Sequence, residues 1–317
     1  MRKYPEKYLE ILKNETIEIE NNGVKIIVKP SPGEEREGYL DPCEKAIMEG
    51  HWASKTADNN QQQKEEASVD EIIDGQVPTL NTIISMIRDG MGFANYNLNT
   101  VEIYTKFETI TDSGNEVGVW RYYPRHLEKK KNNPALVFFH GGGWIGGTTY
   151  VVENFCKLIA EKANCVVFNI DYSLAPEKPY PNGLNDNYCA VKHVYDNAEK
   201  YRIDKTKISV AGDSAGGNYA SSVSLKTRDE EVPMIAMQVL IYSAVAIEDV
   251  SVQGYQWAED MIKIAPGLEE KVRPLTGLWR PNKESNDPMV GSYLPNFDLI
   301  NDPYVSPVIA KSHSNLP

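Results

Sequence analysis

Short runs of apolar residues recur through the second half of the chain and are typical of strands that are buried on both faces. The four runs cover residues 135–139, 165–170, 208–211 and 235–241. Stretches of helical length separate them, at about 150–163, 184–200 and 215–228. Strands that alternate with helices predict an α/β fold with a mostly parallel sheet and helices on both faces. In such a sheet, functional residues are expected in the loops at the carboxyl ends of the strands.

A hairpin is predicted before these runs. Residues 101–104 and 117–122 alternate apolar and polar side chains, and the sequence 112–115 between them favours a turn.

The remaining segments lack this regular alternation of predicted strands and helices. In residues 1–100, one face of a predicted helix carries Leu80, Ile83, Ile84 and Ile87, whereas the tract 58–66 is too polar for a core. Residues 246–300 contain two tryptophans and several prolines. We therefore predict a core at 101–245, a helical cap built from 1–100 and 246–300, and a return to the core at 301–317.

Charge lowers the expectation of a nucleic-acid partner. The 317 residues include 33 basic and 45 acidic side chains, for a formal charge of −12, and an acidic chain repels phosphate backbones. The basic run 129–131 is interpreted as a solvated turn.

Cysteine spacing and hydropathy point to a cytoplasmic protein that needs no cofactor. No pair of the four cysteines has the C-x-x-C spacing of a zinc or redox site, and no His/Asp/Glu cluster has metal-ligand spacing. We also find no apolar run behind the amino-terminal charges and no stretch of eighteen apolar residues. Neither a secretory signal nor a membrane span is therefore predicted.

The strongest chemical pattern is Gly212-Asp213-Ser214-Ala215-Gly216, which lies between a predicted strand and a predicted helix. The G-x-S-x-G pattern in this context forms a sharp turn that lifts the serine hydroxyl above the sheet. The N–H of Ala215 and the helix amino terminus then face any anion that forms there. The alternative is a serine that only caps a helix in a glycine-rich turn.

A second pattern, His140-Gly141-Gly142-Gly143, directly follows the strand predicted at 135–139. Consecutive glycines allow backbone N–H groups to point into a cavity, as in the oxyanion holes of esterases. His140 precedes the serine, so we expect it to hold the loop by hydrogen bonding and not to act as the base. A competing interpretation is the dinucleotide pattern G-x-G-x-x-G at Gly141, Gly143 and Gly146, with Asp171 as the ribose-binding acid.

Together these motifs resemble the hormone-sensitive-lipase-like family of α/β-hydrolase carboxylesterases. The segment 171–177 is similar to the D-Y-R-L-A-P-E motif of that family, with Ser173 where arginine is usual, and 302–307 is similar to its return segment. The resemblance covers about residues 101–317 and is loose before them.

The resemblance implies a serine carboxylesterase that hydrolyses small or medium acyl esters without a metal or cofactor. Ser214 would be the nucleophile, and the N–H groups of Gly142, Gly143 and Ala215 would form the oxyanion hole. Three further residues are assigned to supporting the loops: His140, Gly141 and Asp171. The alternative is a non-catalytic relative that binds a hydrophobic small molecule in the same pocket.

The expected acid and histidine of the triad are not found after Ser214. The order of the triad in this fold is serine, acid, histidine, and the only later histidine is His313. The family carries its acid in a D-P-L-x-D-E loop, which this sequence lacks. We therefore expect that the last strands are missing, that the run 235–241 forms an exposed sheet edge, and that residues 1–317 alone are nearly inactive. A second chain, a homodimer, or a cap arrangement that recruits His313 as the base would complete the triad.

Overall fold

The computed structural model of the chain describes residues 10–11, 14–21, 23–29, 39, 45, 79–91, 96–112, 115–247, 264–270 and 288–317. The chain divides into two compact units, one made of 1–78 and 257–279, the other of 79–256 and 280–317. The first unit contains an antiparallel hairpin of β1 (Ile17–Asn21) and β2 (Val24–Val28). The polar tract 58–66 lies outside the described residues.

The second unit is built on a six-stranded sheet. Its strands in chain order are β3 (Ile103–Asp112), β4 (Asn115–Pro124), β5 (Asn133–Phe139), β6 (Val166–Asp171), β7 (Ile203–Asp213) and β8 (Met237–Ile241). Their order across the sheet is β3-β4-β6-β5-β7-β8. The pairs β3–β4 and β4–β6 are antiparallel, and the others are parallel. The predicted hairpin and the mostly parallel sheet are therefore confirmed.

Helices cover both faces of this sheet. They are α1 (Leu80–Gly90), α2 (Glu153–Lys162), α3 (Asn182–Asp196), α4 (Ala215–Asp229) and α5 (Pro288–Tyr293). The core has two parts: Val137 and Phe139 of β5 pack in a cluster with residues of α3 and α4, whereas Phe138 packs with residues of α2. Successive side chains of a strand point to opposite faces, so residues 135–139 of β5, which are covered on both faces, must all be apolar. This explains its unbroken apolar run.

Helix α1 belongs to the unit that contains the sheet, not to the unit of residues 1–78. Thr79 caps the helix by accepting from Thr82 N at 3.3 Å, and Ile84 is buried in the core. Ile83 and Ile87 are half-buried, and Leu80 is exposed. The predicted boundary at residue 100 therefore differs from the observed division, because the apolar face of α1 is buried against the core. The assembly of a cap stays a prediction.

Strand β8 is the last strand of the sheet within the described part of the chain. It pairs with β7, and the side chains of Met237, Val239 and Leu240 are exposed. The exposed edge expected at 235–241 is thus present among the described residues.

No described helix has the length and apolarity that crossing a bilayer requires.

Candidate active site

Ser214 occupies a sharp turn between strand β7 and helix α4. Its φ of 50° and ψ of −117° lie in a region that non-glycine residues rarely adopt. The turn is held from both sides, since Ser214 N donates to Ile241 O at 2.9 Å and Ser214 O accepts from Asn218 N at 3.0 Å. A serine held in a strained strand-to-helix turn is the backbone arrangement of a nucleophile elbow.

The glycines around Ser214 allow two backbone segments to touch. A Cβ on Gly216 would lie 2.0 Å from Phe139 O, at the end of β5. A Cβ on Gly212 would lie 2.3 Å from Gly216 O. Any side chain at either position would push the turn away from β5. The two glycines therefore bring the Ser214 turn against the start of the glycine loop.

The loop 140–143 is bonded directly to the Ser214 turn. Gly141 N donates to Asp213 Oδ1 at 2.9 Å, and burial raises the pKa of this aspartate. Gly142 and Gly143 have φ values of 136° and 58°, and Gly142 O accepts from Gly146 N at 2.9 Å. The two motifs that sequence analysis found separately thus form one cluster at the carboxyl ends of β5 and β7.

His140 is buried beneath this loop. Its Nδ1 lies 2.8 Å from Gly141 O, its ring stacks on Tyr172, and Tyr172 Oη donates to His140 O at 2.5 Å. Burial lowers the pKa of the imidazole to about 4, so the ring is neutral at pH 7. Its Nε2 has no hydrogen-bond partner among the described residues. These contacts agree with a supporting role.

Asn218 is a site residue that the motifs did not reveal. It is fully buried one turn into α4, and its Nδ2 donates to Ala244 O at 2.8 Å and to Val305 O at 2.9 Å. Its Oδ1 lies 3.4 Å from Trp144 Nε1. The only indication in the sequence was an amide four residues after the serine, in the stretch 215–225 that carries no charged residue.

Asp171 ends strand β6 at the wall of a cavity of about 580 Å3. Burial raises the pKa of its carboxyl group, which has no hydrogen-bond partner among the described residues. The cavity is also lined by Gly146, Gly147 and Arg88, but not by Ser214. Asp171 thus lies beside the loop that follows the triple glycine, without bonding to it.

Arg88 of α1 joins the segments around this cavity. Its guanidinium donates to both carboxylate oxygens of Glu177, to Ala175 O and to Ile145 O, at distances between 2.6 and 2.9 Å. The arginine holds the pKa of Glu177 well below its usual range. The sequence did not predict these hydrogen bonds of Arg88, because they depend on how α1 packs against the core.

A base for Ser214 is not found in the described part of the chain. No described side chain lies within hydrogen-bond distance of its Oγ. His313 Nε2 lies 2.9 Å from Pro307 O, and the neighbouring Ser312 O accepts from Arg228, near the carboxyl end of α4. Ser214 precedes the other end of this helix, which is about 22 Å long for its fifteen residues. His313 is therefore not placed to act as the base.

The competing dinucleotide interpretation finds no support in this geometry. In a dinucleotide fold the glycines open directly into a helix. Here α2 begins at Glu153, well after Gly146, and the glycines fold against the Ser214 turn instead.

Fold and turn together define an α/β hydrolase, and comparison with known proteins agrees. The model of a family described as alpha/beta hydrolase fold matches residues 136–317. The chain is 32% identical over 182 residues to the putative alpha/beta hydrolase R526 of Acanthamoeba polyphaga mimivirus, covering 56% of this chain and 51% of that protein. It is 30% identical over 205 residues to carboxylesterase NlhH of Mycobacterium tuberculosis, covering 65% and 58%.

Solved structures give the same result. A hyperthermophilic esterase from the archaeon Pyrobaculum calidifontis superposes with a TM-score of 0.59 and 28% identity, covering 78% of this chain and 75% of that one. The chain belongs to the alpha/beta hydrolase fold family, and its resemblance to the hormone-sensitive-lipase-like carboxylesterases is confirmed. It spans about half the length of the two curated relatives.

Proposed function

We propose that the protein is a serine carboxylesterase that acts on small or medium acyl esters. The observation that carries this proposal is the strained backbone of Ser214 at the junction of β7 and α4, bonded to a triple-glycine loop through Asp213. A serine that merely capped a helix would need no such conformation. The relatives named as esterases support the same reaction class.

In the proposed mechanism, Ser214 Oγ attacks the ester carbonyl and its proton passes to a histidine base. The tetrahedral oxyanion accepts hydrogen bonds from the N–H groups of Gly142, Gly143 and Ala215. Each such donor contributes about 3–4 kcal/mol to transition-state stabilisation in related chemistry. The alcohol then leaves, and water releases the acid from the acyl-enzyme. The base and its orienting acid are the two roles for which the described residues offer no candidate.

The supporting residues hold the donors in place before the substrate arrives. The imidazole of His140 lies against Gly141 O, and Asp213 accepts a hydrogen bond from Gly141 N, so both main-chain polar groups of Gly141 are held. A preorganised donor is worth more than one that must reorient during the reaction. We assign Asp171 to the wall beside this loop.

The test is to measure the hydrolysis of p-nitrophenyl acetate by the purified full-length gene product. We expect Ser214→Ala to lower kcat by about 10^6-fold, as loss of a triad member does in subtilisin. Ser85→Ala, at an exposed serine of α1, is the matched control and is expected to keep full activity. Equal activity of Ser214→Ala and the parent protein would exclude Ser214 as the nucleophile.

The second candidate is a non-catalytic relative that binds a small hydrophobic molecule. It is favoured by the absence of any partner for Ser214 Oγ among the described residues. A fluorophosphonate probe separates the two functions, because it reacts with an activated serine. Covalent labelling at Ser214 supports the esterase, whereas an unlabelled but folded protein supports the binder.

A further inference from the structure

A basic cavity lies at the end of the sheet opposite to Ser214. Parallel strands β5, β6 and β7 carry the Ser214 cluster at their carboxyl ends, and this cavity lies where they begin, about 20 Å away along β5. It has a volume of about 230 Å3. Its charged and aromatic lining consists of Arg121, Lys200, Arg202, Tyr123, Tyr201 and the acid Glu128, and a second acid, Glu108, pairs with Lys200.

Arg121 is a mostly buried guanidinium that forms an ion pair with Glu108 at 3.9 Å but has no hydrogen-bond acceptor among the described residues. Its side chain is only 20% exposed, and it makes no hydrogen bond to any described residue. Its charge lies over the rings of Tyr201 and Tyr123, at 4.8 and 5.4 Å from their centroids. Its Nε is buried without a hydrogen-bond partner, and leaving a buried donor unpaired is unfavourable. The cavity beside Arg121 is where an acceptor can bind.

The nearest carboxylate does not fill this role. Glu108 Oε2 accepts from Tyr201 Oη at 2.9 Å and from Lys200 Nζ at 3.2 Å. Glu108 Oε1 lies 3.9 Å from Arg121 Nε, beyond hydrogen-bond distance, and both atoms are buried without a partner. Glu108 therefore holds Lys200 and Tyr201 by hydrogen bonds and pairs with Arg121 through charge alone, which leaves the N–H donors of Arg121 for a second acceptor.

The backbone around the cavity is fixed before any ligand binds. Asn133 is fully buried, and its Nδ2 donates to Lys130 O at 2.8 Å and to Arg202 O at 3.0 Å. This amide ties the exposed lysines 129–131 to Arg202, and none of these four side chains has an acidic partner within 4 Å among the described residues. On a chain with a formal charge of −12, such a concentration of positive charge attracts anions locally.

We propose that this cavity binds a phosphate group. The planar fork of Arg121 suits the oxygens of a phosphate, and Arg202 and Lys200 supply further positive charge. The two tyrosine rings leave room for the organic part of a phosphomonoester beside the anion. The site is independent of the proposed ester hydrolysis, since it shares no residue with the Ser214 cluster.

Isothermal titration with inorganic phosphate at constant ionic strength tests the site. We expect saturable binding that weakens about tenfold or more in Arg121→Gln, because the variant loses the charged hydrogen-bond donors of the guanidinium. Arg202→Gln, at an exposed position, is expected to weaken binding without affecting folding. The matched control is Arg125→Gln, an exposed arginine that pairs with Glu102 outside the cavity.

The outcomes decide between this site and general attraction. The proposal is wrong if no saturable heat is measured, or if Arg125→Gln weakens binding as much as Arg202→Gln. Glycerol 3-phosphate distinguishes the sources of the phosphate: equal affinity assigns the site to the free anion, and tighter binding assigns the tyrosines to an organic group. Binding only to phosphatidic-acid vesicles, and to neither soluble ligand, would overturn the proposal.

Discussion

At the scale of single residues, the environment of a side chain decides its chemistry. His140 stands in a motif whose pattern suggests catalysis, yet its ring is buried, stacked on Tyr172 and held 2.8 Å from Gly141 O. Burial disfavours the charged imidazolium, because no carboxylate compensates for the lost hydration. The residue is therefore suited to holding a backbone loop at neutral pH.

This burial makes stability depend on pH. The pKa of His140 falls from 6.5 to about 4 in the folded protein, so the unfolded chain takes up a proton first as the pH drops. The contribution of His140 to the free energy of unfolding is fully present above about pH 6.5. It is lost as the pH falls towards 4, by about 3 kcal/mol in total. We expect the free energy of unfolding, measured with urea, to fall less between pH 7 and about 4.5 in His140→Gln than in the parent.

The comparison needs a second histidine variant, because carboxylates also titrate in this range. His126 is exposed, and His126→Gln is the matched control for replacing a histidine by glutamine. If His140→Gln and the parent lose equal stability between the two pH values, the neutral, buried state of His140 is disproved.

At the scale of elements, the central feature is the junction of β7, Ser214 and α4. The turn can form only where β5, β7 and α4 approach within backbone contact. Gly212 and Gly216 permit this approach, and the main chain of Ile241 at the end of β8 supports the turn from the other side. Four elements thus determine the position of one hydroxyl.

A single methyl group should disrupt this junction. In Gly216→Ala the new Cβ would lie 2.0 Å from Phe139 O, so β5 or α4 must shift. We expect a loss of about 1–3 kcal/mol in the free energy of unfolding, together with loss of fluorophosphonate labelling at Ser214.

Gly291 of α5 offers the matched control, because a Cβ there would meet nothing within 4 Å. Gly291→Ala is expected to be neutral or to stabilise the protein by about 0.5–1 kcal/mol, since alanine favours helix. Similar losses in the two variants would show that the close approach at Gly216 is unimportant.

At the scale of the whole molecule, buried polar groups join segments that are far apart in sequence. Asn218 bonds to the main chain at Ala244 and Val305 and lies next to the indole of Trp144. Trp144 in turn stacks on Tyr293 of α5, with ring centroids 4.7 Å apart. The loop after β5, helix α4 and the carboxyl-terminal segment are therefore held together by these contacts.

Removing this amide should destabilise the whole unit. In Asn218→Ala the half-buried carbonyl of Ala244 and the buried carbonyl of Val305 lose their donor, at a cost of up to about 1–3 kcal/mol each. Asn218→Asp should lose as much stability, because a carboxylate cannot donate a hydrogen bond to these two carbonyls. Asn301→Ala, at an exposed amide, is the control and is expected to change the urea midpoint little. A parent-like midpoint for Asn218→Ala would contradict this account.

Much of the fold was predictable from local pattern. The apolar runs predicted the strands β5, β6, β7 and β8. The two glycine-containing motifs predicted the positions of Ser214 and the glycine loop. What could not be predicted depends on packing between distant segments. Arg88 meets Glu177 only because α1 lies on the core, and Asn218 looks like any polar residue of a helix. The run 129–131 was interpreted as a solvated turn, and only the structure places it beside Arg202.

The sequence by itself determined the period of each element and the positions where only glycine fits, because both follow from local backbone geometry. The tertiary structure alone decided which charges meet, which polar groups are buried and which of them lack partners. These properties arise from contacts across long sequence separations, and no local pattern encodes them.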